Sequence, residues 1–296
     1  MDIVRVLGVS FPAFFIMGLG YCLGKYRKID VGSLADMTIY VLSPFLMLYS
    51  LGIGQLGPEL VGFVVVSLAV MIISGVIGFL GTRLFGFSDE DARIVLMTSM
   101  LINTGNMGLS FCLFAFGNEG LSLGAYYMVV NTIIMYTAGV YIASGSRMLE
   151  FLKLPLVYFV AAGIALSALS IKLPAPIFGV VELLGKSALP VQLIMLGVQL
   201  SRIKPDARKI KLPCLNAFVR LIIGPVVAFV LCSFAGISGI YMGVLVLQSA
   251  MPSAVTNFLL AAKYRRREEL VASIVFVSTL LSLLTIPAVL IFIMGS

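Results

Sequence analysis

The sequence predicts an all-α polytopic membrane protein of ten transmembrane helices. They form two inverted five-helix repeats in which helices 4 and 9 are broken crossing helices. Three observations carry this expectation: a composition that no water-facing surface can use, ten apolar runs whose flanking charges alternate, and a second half that repeats the first.

Of 296 residues, 60% are hydrophobic and only 11% charged, and the mean hydropathy is +1.12. Soluble domains carry about 25% charged residues, so a soluble enzyme, a nucleic-acid-binding domain and a disordered chain are excluded together. The net charge of +7 would suggest polyanionic partners in a soluble protein. Here the basic residues sit in short clusters between apolar runs, and a membrane explains their sign. The chain has no His, so the commonest metal ligand and near-neutral proton shuttle is absent. Cys22, Cys112, Cys214 and Cys232 are each isolated in apolar sequence and read as small apolar filler. The first residues lack a basic stretch and a small-residue cleavage site, so 3–25 reads as a retained span.

A bilayer core of about 30 Å needs roughly 20 apolar residues per helix. Such runs lie near 3–25, 31–54, 58–85, 91–117, 121–144, 154–172, 178–200, 211–235, 239–263 and 268–294. Charge tests the number ten. One set of alternate loops holds Lys25, Arg27 and Lys28; Arg83 and Arg93; Arg147 and Lys153; Arg202, Lys204, Arg208, Lys209 and Lys211; and Lys263, Arg265, Arg266 and Arg267. The other set holds only Arg5 and Lys172. Sixteen against two is a positive-inside bias that one span more or fewer would scramble. It places both termini outside the cytoplasm, in a plasma or inner membrane. The basic runs Lys204–Lys211 and Arg265–Arg267 are explained by this topology, with anionic lipid as a further partner and no nucleic acid required.

The halves correspond. Pro12 matches Pro155, Pro44 matches Pro190, Pro58 matches Pro205 and Gly86 matches Gly236, with offsets that creep from 143 to 150. Ser43-Pro-Phe-Leu-Met-Leu48 also resembles Leu189-Pro-Val-Gln-Leu-Ile194. This divides the chain into 1–144, a linker 145–153, and 154–296. Five spans are an odd number, so the second half enters the membrane from the opposite side, as in secondary transporters.

The fourth span of each half breaks the apolar pattern. Span 4 carries Asn103-Thr104-Gly105-Asn106 and Ser110 at mid-membrane, and span 9 carries Gln248, Pro252, Ser253, Thr256 and Asn257. Pro252 removes a donor and clashes with the preceding turn, forcing a kink or unwinding, while Gly105 permits unwinding without a proline. Backbone freed at that depth is tolerated only beside protein or a water-filled cavity. If the breaks cross, two helix N-termini converge at the midplane with dipoles and free N–H groups suited to a carboxylate. The alternative role for such polar side chains is gluing helices together.

These motifs resemble the auxin efflux carrier family, which includes plant auxin exporters and bacterial malate and malonate permeases. The likeness rests on Asn103-Thr-Gly-Asn106 with Ser110, on Ala250-Met-Pro252-Ser253 followed by Asn257-Phe-Leu-Leu-Ala-Ala-Lys263-Tyr264, and on Arg220-Leu-Ile-Ile-Gly-Pro225. Where the plant exporters have Asn-Pro-Asn, this chain has Thr104-Gly105 between its asparagines, and the long plant loop between halves is reduced to about 145–153. The resemblance implies a homodimer with a scaffold of spans 1, 2, 6 and 7. A mobile unit of spans 3–5 and 8–10 would carry the site across the membrane in an elevator motion.

Arg220 lies about nine residues into span 8, where a charge needs a partner. It caps carbonyls of a broken helix, packs beside Pro225, or draws an anionic substrate to the site. Lys186 can pair with Glu182 one turn away, and Ser88-Asp-Glu-Asp91 reads as the helix start of span 4. Spans 3–5 and 8–10 hold no mid-membrane carboxylate, which leaves coupling to sodium, protons or membrane potential open. No cofactor, metal set or catalytic nucleophile is visible. The expected function is a carrier of small organic anions such as carboxylates or auxin-like acids, with an anion channel or passive pore as the alternative.

Overall fold

The computed structural model describes residues 3–54, 57, 59–144, 154–203 and 210–295. The linker 145–153 and Lys204, Arg208 and Lys209 of the second basic run lie outside them. The described residues are helical apart from turns and one isolated bridge. In chain order the helices are α1 (Ile3–Tyr26), α2 (Val31–Gly52), α3 (Glu59–Leu84), α4 (Asp89–Met100), α5 (Thr104–Ala143), α6 (Pro155–Ala168), α7 (Ala175–Arg202), α8 (Lys211–Ala235), α9 (Gly239–Ser249), α10 (Thr256–Lys263) and α11 (Glu268–Gly295). Among the described residues, seven of these are long and apolar enough to cross a membrane: α1, α2, α3, α5, α7, α8 and α11. The 40 residues of α5 bend at Gly117, whose φ of 65° and ψ of −154° are non-helical. α6 and α9 are shorter apolar helices.

α3 shows how the composition is used. Val61, Val65, Leu68, Ile72, Val76 and Leu80 form one exposed apolar stripe, while the buried face carries Ser67, Ser74, Gly75 and Gly78. Apolar outside and small or hydroxylated inside is the arrangement of a helix solvated by lipid and packed closely on its neighbours. Two of the hydroxyls are satisfied within the helix: Ser67 donates to the Phe63 carbonyl at 2.8 Å and Thr82 to that of Gly78 at 2.8 Å.

Caps and prolines set the helix ends. Asp30 opens α2 by accepting from Ser33 Oγ and from the amides of Gly32 and Ser33, which hold its carboxyl below the ordinary carboxylate range. Ser88 opens α4, its hydroxyl accepting from the Asp91 amide at 3.1 Å. Five-residue π-helical stretches at Thr38–Leu42 and Val219–Ile223 lead into Pro44 and Pro225, where the proline ring displaces the ordinary i−4 bond. α3 and α8 share one terminator. Gly86 and Gly236 take positive φ (77° and 67°), and the next residues, Phe87 and Ile237, donate back to the Thr82 and Cys232 carbonyls at 3.2 and 2.9 Å.

Packing is densest in two sets. α1 lies along α7, and α2 on α6 and α7; α3 packs on α4 and α8, α8 on α9 and α11, α9 on α5, and α10 on α11. At Gly197 a side chain would collide with the Met17 carbonyl, so α1 and α7 touch backbone to backbone. Contacts between the sets include α1 with α5 and α11, α2 with α5, and α7 with the first turn of α5.

Candidate functional site

The helical path through the fourth span stops at Met100, and through the ninth at Ser249. Leu101 is extended (φ −93°, ψ 107°) and Asn103 departs from helix geometry (φ −80°, ψ 57°) before α5 begins at Thr104. On the other side the chain turns at Ala250, passes Pro252 and resumes as α10 at Thr256. The two interruptions meet. Ile102 and Ser253 form an antiparallel bridge, with Asn103 N–H donating to the Pro252 carbonyl at 2.9 Å and Ala254 N–H to that of Leu101 at 3.1 Å. A proline carbonyl and an unwound turn thus satisfy one another within a buried junction.

Side chains lock the bridge. Asn257 donates through Nδ2 to the Leu101 carbonyl at 2.9 Å and to Ser253 Oγ at 3.0 Å, and Ser253 donates to the Thr98 carbonyl at 2.9 Å. Asn131 of α5 accepts from Ile102 N–H at 3.3 Å and donates to the Ile102 carbonyl at 3.0 Å and to Thr104 Oγ1 at 3.3 Å. Ser278 of α11 accepts from Ser253 N–H at 3.3 Å. Asn216 of α8 donates to the hydroxyls of Thr98 and Ser99 at 2.9 Å each. Asn131, Asn216 and Ser278 escaped the sequence reading because each stands alone in an apolar helix. One signal was present: Asn131 and Ser278 are 147 residues apart, within the offsets that relate the halves.

Arg220 is fully buried at the other side of the same junction. Its guanidinium donates to the carbonyls of Ser99 at 3.0 Å, Ser249 at 2.7 Å and Met251 at 3.3 Å. It therefore neutralises the two helix ends, α4 and α9, whose dipoles are negative there. Of the three roles open to it from sequence, capping carbonyls is the one the geometry displays. Lys186 pairs with Glu182 at 2.6 Å on a half-exposed face of α7, remote in sequence from the bridge.

The helix starts differ from the helix ends in having unclaimed donors. The backbone N–H groups of Gly105 and Asn106, and of Val255 and Thr256, donate to no acceptor among the described residues. Nor does Asn103 Nδ2, although Asn103 is only 3% exposed. Asn257 Oδ1, Ser110 Oγ and both amide atoms of Gln248 are likewise buried without an oxygen or nitrogen partner. The Gln248 amide lies where side chains on Gly108 or Gly124 would otherwise stand. Gly105, Asn106 and Thr256 are partly exposed, so the open donors are not sealed in the core. Buried polar groups without partners are uncommon, and here they gather beside two helix starts that carry open backbone N–H groups.

Two cavities lie at opposite ends of α7. One of about 810 Å³ is lined by Gln199, Arg202, Arg265 and Arg267 and reaches inward to Val255. The other, about 640 Å³, is lined by Tyr49, Glu119, Phe178, Glu182 and Tyr241. Arg267 also binds Asp91 at 2.8 Å, tying the α10–α11 turn to the first turn of α4.

Apolar helices long enough to cross a membrane, around interrupted, polar segments, fit an integral membrane protein, and the family match makes it a transporter rather than an enzyme. The chain belongs to the membrane transport protein family, of the auxin efflux carrier type, whose model matches residues 6–150 and again 145–290. It is 27% identical to an uncharacterized transporter of Methanocaldococcus jannaschii over 97% of this chain and 96% of that one. It is also 27% identical to an uncharacterized transporter of Methanothermobacter thermautotrophicus, over 91% and 92% of the two chains. A provisionally named malonate transporter of Rhizobium meliloti is 26% identical over 46% of this chain and 42% of its own.

Proposed function

We propose that this protein is a secondary transporter that moves small organic anions, short carboxylates foremost, across the plasma membrane by alternating access. The observation that carries the reading is the convergence of two helix starts at the Ile102–Ser253 bridge, each with unclaimed backbone N–H groups. Positive helix ends with open donors suit a carboxylate, and the partial match to a provisionally named malonate transporter agrees in ligand class. The bound anion lies against Asn103, Thr104, Gly105 and Asn106 on one side and Ser253, Thr256 and Asn257 on the other. Ser110, Gln248 and Pro252 shape the space behind them, and Arg220 holds the frame.

The chain in this reading crosses the membrane ten times as two inverted repeats, both termini outside the cytoplasm. Spans 1, 2, 6 and 7 form the scaffold, which associates as a homodimer, and spans 3–5 and 8–10 move as an elevator. The shared glycine terminator of α3 and α8 and the two densely packed sets of helices support this. The cavities at opposite ends of α7 supply access from each side in turn.

Counterflow in proteoliposomes tests the proposal. Vesicles preloaded with unlabelled malonate are expected to accumulate labelled malonate transiently and saturably. Flux that is linear in concentration and indifferent to internal malonate would instead describe a pore.

A further inference from the structure

The cavity at the Phe178 end of α7 lies between the two packed sets of helices. α2 and α7 supply Tyr49, Phe178 and Glu182, and α5 and α9 supply Glu119, Ser122 and Tyr241. The α7 wall already holds an ammonium. Lys186 Nζ stands 2.6 Å from Glu182 Oε1 and 5.4 Å from the centre of the Tyr49 ring, and Tyr49 Oη donates to the same carboxylate oxygen at 3.5 Å. A cation between a carboxylate and an aromatic face is a favourable arrangement.

The facing wall repeats these components, and no side chain among the described residues brings a cation to them. Glu59 Oε2 and Tyr241 Oη stand 2.9 and 3.1 Å from the point that a Cβ at Gly57 would take, and Gly57 lines the cavity. Glu119 lies on the same side, and the charges of both glutamates bear on Tyr241. Neither carboxylate has an ion pair or hydrogen bond among the described residues. Phe63 packs on Tyr241 at 74° and fixes its ring. Ser122, only 4% exposed, turns to the cavity a hydroxyl that makes no hydrogen bond among the described residues. That hydroxyl stands where a side chain at Gly54 would go. Lys172 belongs to an adjoining cavity of about 300 Å³.

The lining does not suit a metal ion: among the described residues no three His, Cys, Asp or Glu side chains come together to hold one. A volume of about 640 Å³ is instead that of a pocket for an organic ligand. We infer that this cavity binds a short protonated diamine. Its two charges match the two unpaired carboxylates, Glu59 and Glu119. An ammonium brings three donors and no acceptor, and this wall offers acceptors: the carboxylates, Tyr241 Oη and Ser122 Oγ. The methylene chain lies against Leu123 and Phe178. This site is separate from the anion site at the helix starts and does not rest on it.

Calorimetric titration of the purified full-length protein with diaminobutane tests the inference, with butanediol as the neutral molecule of the same length. Saturable binding of diaminobutane is expected, at least about tenfold tighter than that of butanediol. Glu59→Gln and Glu119→Gln should each weaken it about tenfold. Both side chains are exposed, so neither change disturbs the core. Glu269→Gln removes a carboxylate from the cavity at the other end of α7 and should leave diaminobutane binding unchanged. A loss for Glu269→Gln as large as for Glu119→Gln would mean that the amine responds to the charge of the whole protein, which overturns the site. Equal binding of the two molecules, absence of diaminobutane binding, or unchanged affinity in both Glu59→Gln and Glu119→Gln overturns it as well.

Discussion

Asn131 and Ser278 hold the two sides of one bridge: Asn131 Oδ1 accepts from Ile102 N–H, and Ser278 Oγ accepts from Ser253 N–H. The two residues of an isolated antiparallel pair, which has no sheet around it, are thus fixed by side chains from α5 and α11. Each gives a backbone N–H of the unwound junction the partner that a buried polar group requires.

Replacing them should cost stability in proportion to what each binds. Asn131→Ala removes three contacts around Ile102 and Thr104 and should destabilise by about 2–3 kcal/mol, whereas Ser278→Ala should cost about 1 kcal/mol. Thermal unfolding in detergent, read by fluorescence of a buried-thiol dye, gives the order. Equal shifts for both variants would mean the bridge does not depend on Asn131.

Arg220 and Lys186 should separate sharply. Arg220→Ala leaves the carbonyls of Ser99, Ser249 and Met251 without their donor inside the protein and should cost several kcal/mol, each orphaned group contributing about 1–3 kcal/mol. Malonate binding should fall with it, because the helix starts lose their frame. Lys186→Ala breaks only a half-exposed pair with Glu182, worth about 0–1 kcal/mol. The measurement is melting temperature together with calorimetric binding for both variants.

What the sequence disclosed follows from how strongly each feature is constrained. Apolar helices must be apolar over many residues in a row, so α3 and α11 were legible from composition alone. Pro252 cannot sit in a regular helix, and Gly105 beside two asparagines is a poor choice for one. The capping pattern at Ser88 was equally plain. The partners of Arg220 were not legible, because carbonyl acceptors have no sequence signature: any residue can supply them. Asn131 and Asn216 were hidden for a related reason. A single amide in an apolar run looks the same whether it binds helix backbone, a hydroxyl or a ligand, and only the residues brought beside it in space decide which.

Gly105→Pro should leave a folded protein. The Gly105 amide donates to no acceptor among the described residues, and proline is tolerated in the first turn of a helix. A Cβ placed there meets only the flexible end of Met128, whose Cε and Sδ lie 3.1 and 3.3 Å away. Size-exclusion profile and melting temperature within a few degrees of wild type are the expected result. A proline in an unbroken helix would cost about 3 kcal/mol, and a loss of that size would show that 103–106 is regular helix.

Sidedness should follow the charge pattern. With Cys22, Cys112, Cys214 and Cys232 replaced, a cysteine at Arg266 should react with an impermeant maleimide only from the cytoplasm. One at Asn118 should react only from outside. Both positions are exposed, Arg266 in the turn before α11 and Asn118 beside the Gly117 bend of α5, so labelling from the same side would refute the ten-span topology.

The central claim is that the two helix starts form one anion site, and a double-mutant cycle between Asn106 and Asn257 tests it most directly. The Asn106 side chain makes no hydrogen bond among the described residues, so its truncation reports on ligand alone. Asn257 sits on the opposite helix start, with Oδ1 open. Each alanine variant should weaken malonate binding roughly tenfold. The double variant should then depart from additivity by more than the roughly 0.5 kcal/mol expected of independent positions. Strict additivity, with both single variants folded and binding as tightly as wild type, would mean that these asparagines only hold helices together.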